Sequence, residues 1–136
     1  MKEVNLLKQY CDNHQTVFCY GAGFFGRTVS AYLASKGMNI NGFIVTDCLK
    51  SKCVHGHIVY SFDDYLDKYE DGTGIIVAVG DKYRDEIVAI LENNKINDFM
   101  CISEDMIPFM QARININLKY ISDNNVSVLC YHRVAD

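Results

Sequence analysis

The sequence predicts a three-layer α/β domain built on a parallel sheet, and three observations predict it. From residue 16 to residue 102, short apolar runs alternate with stretches of helical period. The first run, Val17-Phe18-Cys19-Tyr20, ends in Gly21-Ala22-Gly23-Phe24-Phe25-Gly26, and a helical pattern follows at once. The run Ile75-Ile76-Val77-Ala78-Val79 is apolar at every position, as a strand covered by helices on both faces must be. At 136 residues the chain is long enough for one ordinary core.

Each element has a local reason. Residues 2–14 place Val4, Leu7 and Cys11 on one helical face, with Leu6 and Tyr10 beside it. Residues 16–20 are the first strand. Over 24–36, Phe25, Thr28, Val29, Tyr32 and Leu33 fall at i, i+3, i+4, i+7 and i+8, which makes one buried stripe, and Gly37 stops the helix. Residues 39–46 are the second strand, 48–56 a polar loop and 57–60 a short third strand. Ser61-Phe62-Asp63-Asp64 has capping-box spacing and opens a helix to about residue 69. After the turn Asp71-Gly72-Thr73-Gly74 comes the fourth strand, 75–79, and Asp81 is expected to cap the helix over 82–94, with Tyr83, Ile87, Ile90 and Leu91 inward. Residues 98–102 are the fifth strand. Beyond it, Ser103-Glu104-Asp105 is expected to start a short helix that contains Pro108, while 114–118 and 126–130 read as strands.

Right-handed crossovers between these strands give the order 3-2-1-4-5. Strands one and four are then central neighbours whose connections leave in opposite directions, and the crevice above their carboxyl ends is where such sheets bind ligands. The turns at Gly21–Gly26 and at Gly80-Asp81 border that crevice.

Strand, Gly-x-Gly-x-x-Gly and helix, in that order, are the dinucleotide-binding fingerprint. Gly21 permits the tight turn, Gly23 leaves the backbone open to a pyrophosphate, and Gly26 allows close packing of the helix. The free N–H groups around Ala22, Phe24 and Phe25 and the positive end of the helix favour a phosphate. Asp47, about twenty positions past Gly26, stands where a carboxylate accepts from a ribose 2′-hydroxyl, in NAD or in a nucleotide-sugar. The expected binding set is therefore Gly21, Ala22, Gly23, Phe24, Phe25, Gly26, Asp47, Gly80 and Asp81, with Lys82 and Arg84 near enough to reach a phosphate. Cys48, Cys53, His55 and His57 are zinc-type ligands, but their spacing lacks a Cys-x-x-Cys knuckle and a loop is the simpler reading; no metal is assigned. No Gly-x-Ser-x-Gly elbow or Walker lysine motif is present, and no catalytic residue is assigned.

A net charge of −4 without a basic cluster disfavours nucleic acid as a partner. The amino-terminal residues lack the apolar core of a signal peptide, no apolar run is long enough for a membrane span, and the six scattered cysteines suit a reducing cytoplasm.

Tyr20-Gly21-Ala22-Gly23-x-x-Gly26, Gly42-Phe43-Ile44-Val45-x-Asp47, Gly56-His57-Ile58-Val59, Asp64-Tyr65-Leu66 and Ile75–Gly80 together resemble the short Rossmann-like domains of bacterial surface-polysaccharide and nucleotide-sugar enzymes, among them sugar O-acyltransferases and epimerases or dehydratases. The resemblance covers roughly residues 16–102. It implies a nucleotide-binding domain over 1–105, with 106–136 as a carboxyl-terminal extension, and a ligand that is either NAD or a UDP-type nucleotide-sugar. In the acyltransferases a separate left-handed β-helix performs the transfer; that repeat is absent here, and Phe24 and Phe25 stand where those turns often carry a histidine. The Tyr-x-x-x-Lys pair of the epimerases finds no match in a suitable place. A module that serves a catalytic domain or partner protein is therefore expected, and homo-oligomerisation is compatible with it. The alternatives are an NAD-dependent oxidoreductase or epimerase completed by another domain or subunit, and a structural domain without ligand. Val128–Val134 resembles the first strand of polysaccharide deacetylases, which would make this chain the front of a longer protein or a degraded remnant of one.

Overall fold

The computed structural model describes residues 2–46 and 53–114. The elements run α1 (Lys2–Asp12), β1 (Val17–Tyr20), α2 (Phe24–Ser35), β2 (Gly42–Val45), β3 (Cys53–Val54), β4 (His57–Ser61), α3 (Phe62–Leu66), β5 (Gly74–Val77), α4 (Asp81–Asn93) and β6 (Phe99–Cys101). A 3-10 turn over Glu104–Met106 then leads into a helix over 107–114, called α5 below. Asp47, residues 115–118 and 126–130 and the segment 128–134 lie outside the described residues; Ile114, expected to open a strand, is helical instead.

The fold is mixed α/β on one six-stranded sheet of order β3-β4-β2-β1-β5-β6. Five strands pair in parallel: β1 lies between β2 and β5, with β4 outside β2 and β6 outside β5. The sixth strand was not expected. Cys53-Val54, read from sequence as loop, pairs antiparallel with His57-Ile58 and becomes the edge, so the sheet is neither five-stranded nor wholly parallel. The reason is local: His55 (φ 51°) and Gly56 (φ 78°) both adopt positive φ, the backbone of a two-residue type I′ hairpin, and His is among the few non-glycine residues that enter this region readily.

Alternation along the central strands builds two cores. Val17 and Cys19 of β1, Phe43 of β2 and Ile76 of β5 face Val4 and Leu7 of α1, Val29, Tyr32 and Leu33 of α2, and Ile107 and Met110 of α5. Tyr20, Ile44, Ile75 and Val77 face Phe62 and Tyr65 of α3 and Ile87 and Leu91 of α4. Helices thus cover both faces, which is why these strands read as continuous apolar runs. Met106, Ile107 and Met110, from the region assigned in sequence to an extension, are buried in the first of these cores. Among the described residues, no helix is long and apolar enough to cross a membrane.

The helix ends are chemically specified. Ser61 accepts the Asp64 N–H at 3.2 Å, as the capping-box spacing requires. At the end of α2, Gly37 (φ 79°) gives its N–H to Ala34 and Met38 gives its N–H to Leu33, the pair of bonds of a Schellman motif. The end of α4 repeats the pattern with Lys95 (φ 62°) in the left-handed position, bonded to Glu92, and Ile96 bonded to Leu91. A side chain there is strained where glycine is not.

The amino-terminal end of the sheet is closed by a polar clasp. The Tyr10 hydroxyl accepts the Ile75 N–H at 2.9 Å and donates toward the carbonyl and carboxylate oxygens of Asp98, at 3.1 and 3.0 Å. His14 stacks on Tyr10 at 4.3 Å between ring centroids. Its Nδ1 lies 2.7 Å from the Tyr10 carbonyl and its Nε2 lies 2.6 Å from Asp98 Oδ2. Both partners accept, so the geometry suits the protonated ring, which donates from both nitrogens. The hydrogen bond to Asp98, and after it the bond to the Tyr10 carbonyl, raise the His14 pKa above its ordinary value, against the opposing pull of burial. One α1 segment is thereby tied to β5 and to the residue before β6.

Two outcomes are expected. His14 has a folded pKa above its unfolded value, so its contribution is complete below about pH 6.5 and disappears as pH rises through the raised folded value. Urea midpoints measured between pH 5.5 and 9 should fall over that window, and Asp98→Asn should flatten the fall. Lys95→Gly should stabilise the domain by about 0.5–1 kcal/mol in the same urea titration, because it relieves the left-handed strain.

Candidate functional site

The carboxyl ends of β1 and β5 open into a cleft of about 550 Å³. Its walls include Gly21, Gly23, Phe24 and Phe25 from the first turn, Gly80 and Asp81 from the second, and Ala78, Val79, Lys82, Tyr83 and Glu104. The two turns are held together by the sheet itself. The Gly21 N–H bonds the Ile44 carbonyl at 2.8 Å, and the Ala78 N–H bonds the Tyr20 carbonyl at 3.0 Å. Thus Gly21, Gly23, Phe24, Phe25, Gly80 and Asp81 of the expected set share one cavity. Ala22 and Gly26 belong to the same turn without lining it, and Asp47 lies outside the described residues.

The three glycines differ in what they meet. A Cβ on Gly21 would stand 2.5 Å from the Ala78 carbonyl oxygen and 3.0 Å from Val79 Cγ1, and its φ is +116°. A Cβ on Gly26 would overlap the Gly21 carbonyl and approach Cys19 Sγ. That identifies the crowding partner of Gly26 as the turn first and the strand second. A Cβ on Gly23 would meet nothing within 4 Å, and its φ of −84° suits any residue. Beneath the turn, the buried Cys19 thiol lies 3.6 Å from the Gly21 carbonyl and 3.9 Å from that of Gly26, and burial raises its pKa so that it stays a neutral donor.

The two helix starts that flank the cleft are unlike. Gly23 is the N-cap of α2: among the described residues no side chain caps this end, and its first turn holds no acid. The first N–H groups of a helix have no partner within it, so they are available to an anion. At α4 the N-cap is Gly80, not Asp81 as expected from sequence; Asp81 is the first helical residue. Its N–H donates to Glu104 Oε2 at 2.7 Å, and its own Oδ1 accepts the Glu104 N–H at 3.1 Å. Arg84 also reaches Asp81 Oδ1, at 3.2 Å, and so turns toward this cap. A carboxylate at a helix start contributes about 0.3–1 kcal/mol, and an exposed ion pair such as Asp81–Arg84 no more, so the reciprocal bonds hold the cap together. Ser103 donates to the Asp105 carboxylate and leaves the short 3-10 turn without a side-chain cap, while Glu104 caps α4.

Tyr83, expected inward, is 50% exposed and lines the cleft beside Phe24, which is 52% exposed. The Lys82 ammonium sits 4.9 Å from the Tyr83 ring centroid. Helical period placed Tyr83 on the Ile87–Leu91 stripe, but one turn from the helix start that stripe has passed the edge of the core. Glu104 was likewise missed as a cleft residue. It follows the strand next to β5, and the rule that ligands bind beyond carboxyl ends would have found it.

Of the cluster Cys48, Cys53, His55 and His57, the described part is spread along the β3–β4 hairpin. Cys53 is exposed on β3, His55 is in the turn, and His57 packs its ring 6.0 Å from Phe43, where burial lowers its pKa. Among the described residues, no three His, Cys, Asp or Glu are arranged to hold a metal ion. A scan of protein-family models and a search of curated proteins both find no match for the chain.

Single alanine substitutions should separate the glycines. Gly26→Ala and Gly21→Ala should cost several kcal/mol, on the order of 3, or prevent folding, while Gly23→Ala should stay within about 1 kcal/mol of the parent in thermal melts.

Proposed function

We propose that this chain is a Rossmann-like nucleotide-binding module, in which the diphosphate of NAD or of a UDP-type nucleotide-sugar lies over the start of α2. The observation that carries the reading is Gly23. Gly21 and Gly26 are glycines because the chain's own backbone leaves no room for a Cβ. Gly23 has room and an unstrained backbone, so the fold does not require glycine there. A group outside the chain that must approach the backbone closely does require it, and the uncapped helix start beside Gly23 favours an anionic one.

The resemblance to domains of surface-polysaccharide and sugar-nucleotide enzymes supplies the setting: the module offers recognition, and a catalytic domain or partner supplies the reaction. In the cleft, Gly23 admits the diphosphate and the α2 dipole and N–H groups stabilise it, over a turn that Gly21 and Gly26 hold in shape; the ribose role proposed for Asp47, outside the described residues, rests on its place in the sequence. The side chains that line the described cleft form no nucleophile–base pair, since the Asp81 and Glu104 carboxylates are engaged in capping α4.

Thermal-shift measurements with NAD, NADP, UDP and UDP-sugars test this directly. A ligand at about a hundred times its Kd adds about 2.7 kcal/mol, a rise in Tm of roughly 8–10 °C for a domain this size. Gly23→Val should keep the fold, within about 1–2 kcal/mol of the parent without ligand, and lose that rise. No rise with any of the four, or an undiminished rise in Gly23→Val, overturns the placement.

A further inference from the structure

We propose that the groove between α2, α5 and the β3–β4 hairpin docks an acidic segment of a partner protein, with an apolar side chain of that segment seated beside Phe24. The inference stands without the nucleotide reading and names the surface by which such a module joins its partner.

Charge is unevenly spread along the chain. From Asn13 to Phe62 it holds one acid, Asp47, against Arg27, Lys36, Lys50 and Lys52. From Asp63 to Asp105 it holds twelve acids against four bases. The fold turns this into a difference between faces, because α2 and α5 pack on one side of the sheet and α3 and α4 on the other. Neither α2, nor the hairpin, nor α5 carries an Asp or Glu. The third helix of that side, α1, is neutral, with Lys2 and Lys8 against Glu3 and Asp12. The acids of α3 and α4 stand across the sheet, farther than the Debye length of about 8 Å at physiological salt, where their field is largely screened. Glu104 and Asp105 precede α5 in the chain, but Glu104 turns to the Asp81 N–H and Asp105 accepts from Ser103.

The groove has a volume of about 540 Å³. Phe24, Ala31 and Ile114 supply apolar walls, and Arg27, His55 and Gln111 supply polar ones. Arg27 is steadied by its Nε, which donates to the Gly23 carbonyl at 3.3 Å and leaves the two terminal nitrogens to meet a carboxylate. Arg113, next to Ile114 on α5, lies 4.7 Å from the Phe109 ring centroid, and Lys36 lies 5.9 Å from that of Tyr32. All three cations are exposed, and among the described residues none has a carboxylate partner.

These features select the occupant. Residues 115–136, which follow the groove in the chain, hold Lys119 and Arg133 against Asp123 and Asp136 and bring no complementary charge. The acidic α3–α4 side of a second copy would leave a basic face open at the end of every pair, so that assembly must close into a ring or grow without limit. Nucleic acid has the right sign, but the whole chain carries −4. Phe24 is also the single phenyl or phenol ring among the described residues that line the groove, where a row of rings is needed to stack bases. An acidic protein segment fits: its carboxylates meet Arg27 and Arg113, and an apolar residue between them fills the space from Phe24 to Ile114.

Two labelled peptides of about twenty residues probe this face: polyglutamate, and the same chain with leucine at about every fourth position, the spacing of a helix face. Fluorescence anisotropy with the full chain should show both bound at low salt, the leucine-bearing peptide about threefold or more tighter. Both should weaken by about fivefold or more when salt is raised from about 0.05 to about 0.3 M. Arg27→Gln combined with Arg113→Gln should cost about tenfold or more in affinity, whereas Lys68→Gln, on the α3 side, should stay within about twofold of the parent. Both arginines are exposed, so the double variant should melt like the parent. No binding of either peptide, equal binding of the two, or binding undiminished in the double variant overturns the proposal. Tighter binding of a thymidine oligonucleotide of equal length overturns it in favour of nucleic acid. Self-association of the parent chain in sedimentation, lost in the double variant, overturns it in favour of a second copy.

Discussion

Everything at the carboxyl end of the central strands depends on one close approach of backbone to backbone. The chain leaves β1, turns at Gly21 against the Ala78 carbonyl that follows β5, and re-enters α2 so tightly that Gly26 lies against the carbonyl of Gly21. Because the turn is jammed against the neighbouring strand, α2 starts at a fixed height above the sheet, and the segment after β5 is fixed with it. The cleft lies between these two fixed turns, so main-chain packing sets the spacing of walls that Phe24, Phe25, Tyr83 and Glu104 complete. That is a rigid foundation for recognition, since hard-packed backbone moves less than surface side chains.

The opposite end of the sheet is built by other means. There Tyr10, His14 and Asp98 use hydrogen bonds and charge to tie α1 to β5 and to the chain before β6. A polar clasp at this end is responsive to pH through His14, while the Gly21–Gly26 turn is held by sterics, which are not. The His14 clasp is therefore separated from the cleft by the length of the central strands. Changes in protonation at His14 act on how firmly α1 is held, with no direct contact to the groups around Gly23.

Much of this architecture was legible in the sequence because central parallel strands and helix stripes leave strong periodic signals. Val17–Tyr20 and Ile75–Val77 could hardly be anything but buried strands, and the glycine spacing placed the turn. What escaped were features decided by single residues in unusual settings. The β3–β4 hairpin depends on His55 accepting positive φ, a choice that composition does not announce. Tyr83 obeys the helical period of its neighbours yet lies beyond the core they bury, because period gives direction around a helix and not position along it. Glu104 acts on a helix 23 positions earlier in the chain, a partner that only the pairing of β5 with β6 brings near. Local rules assign carboxylates to their own helices; tertiary structure reassigned this one.

The thiol beneath the turn gives the domain a property of a different kind. Cys19 is fully buried, kept neutral by its surroundings, and directed at the two carbonyls that define the glycine turn. A thiol so placed reacts with an alkylating reagent only while the turn has lifted from the strand, since the thiolate is the reacting form and needs both water and access. The rate of its labelling is then a count of how often the floor of the cleft opens. Any molecule seated on that floor slows the count, whether or not it leaves a spectroscopic trace of its own.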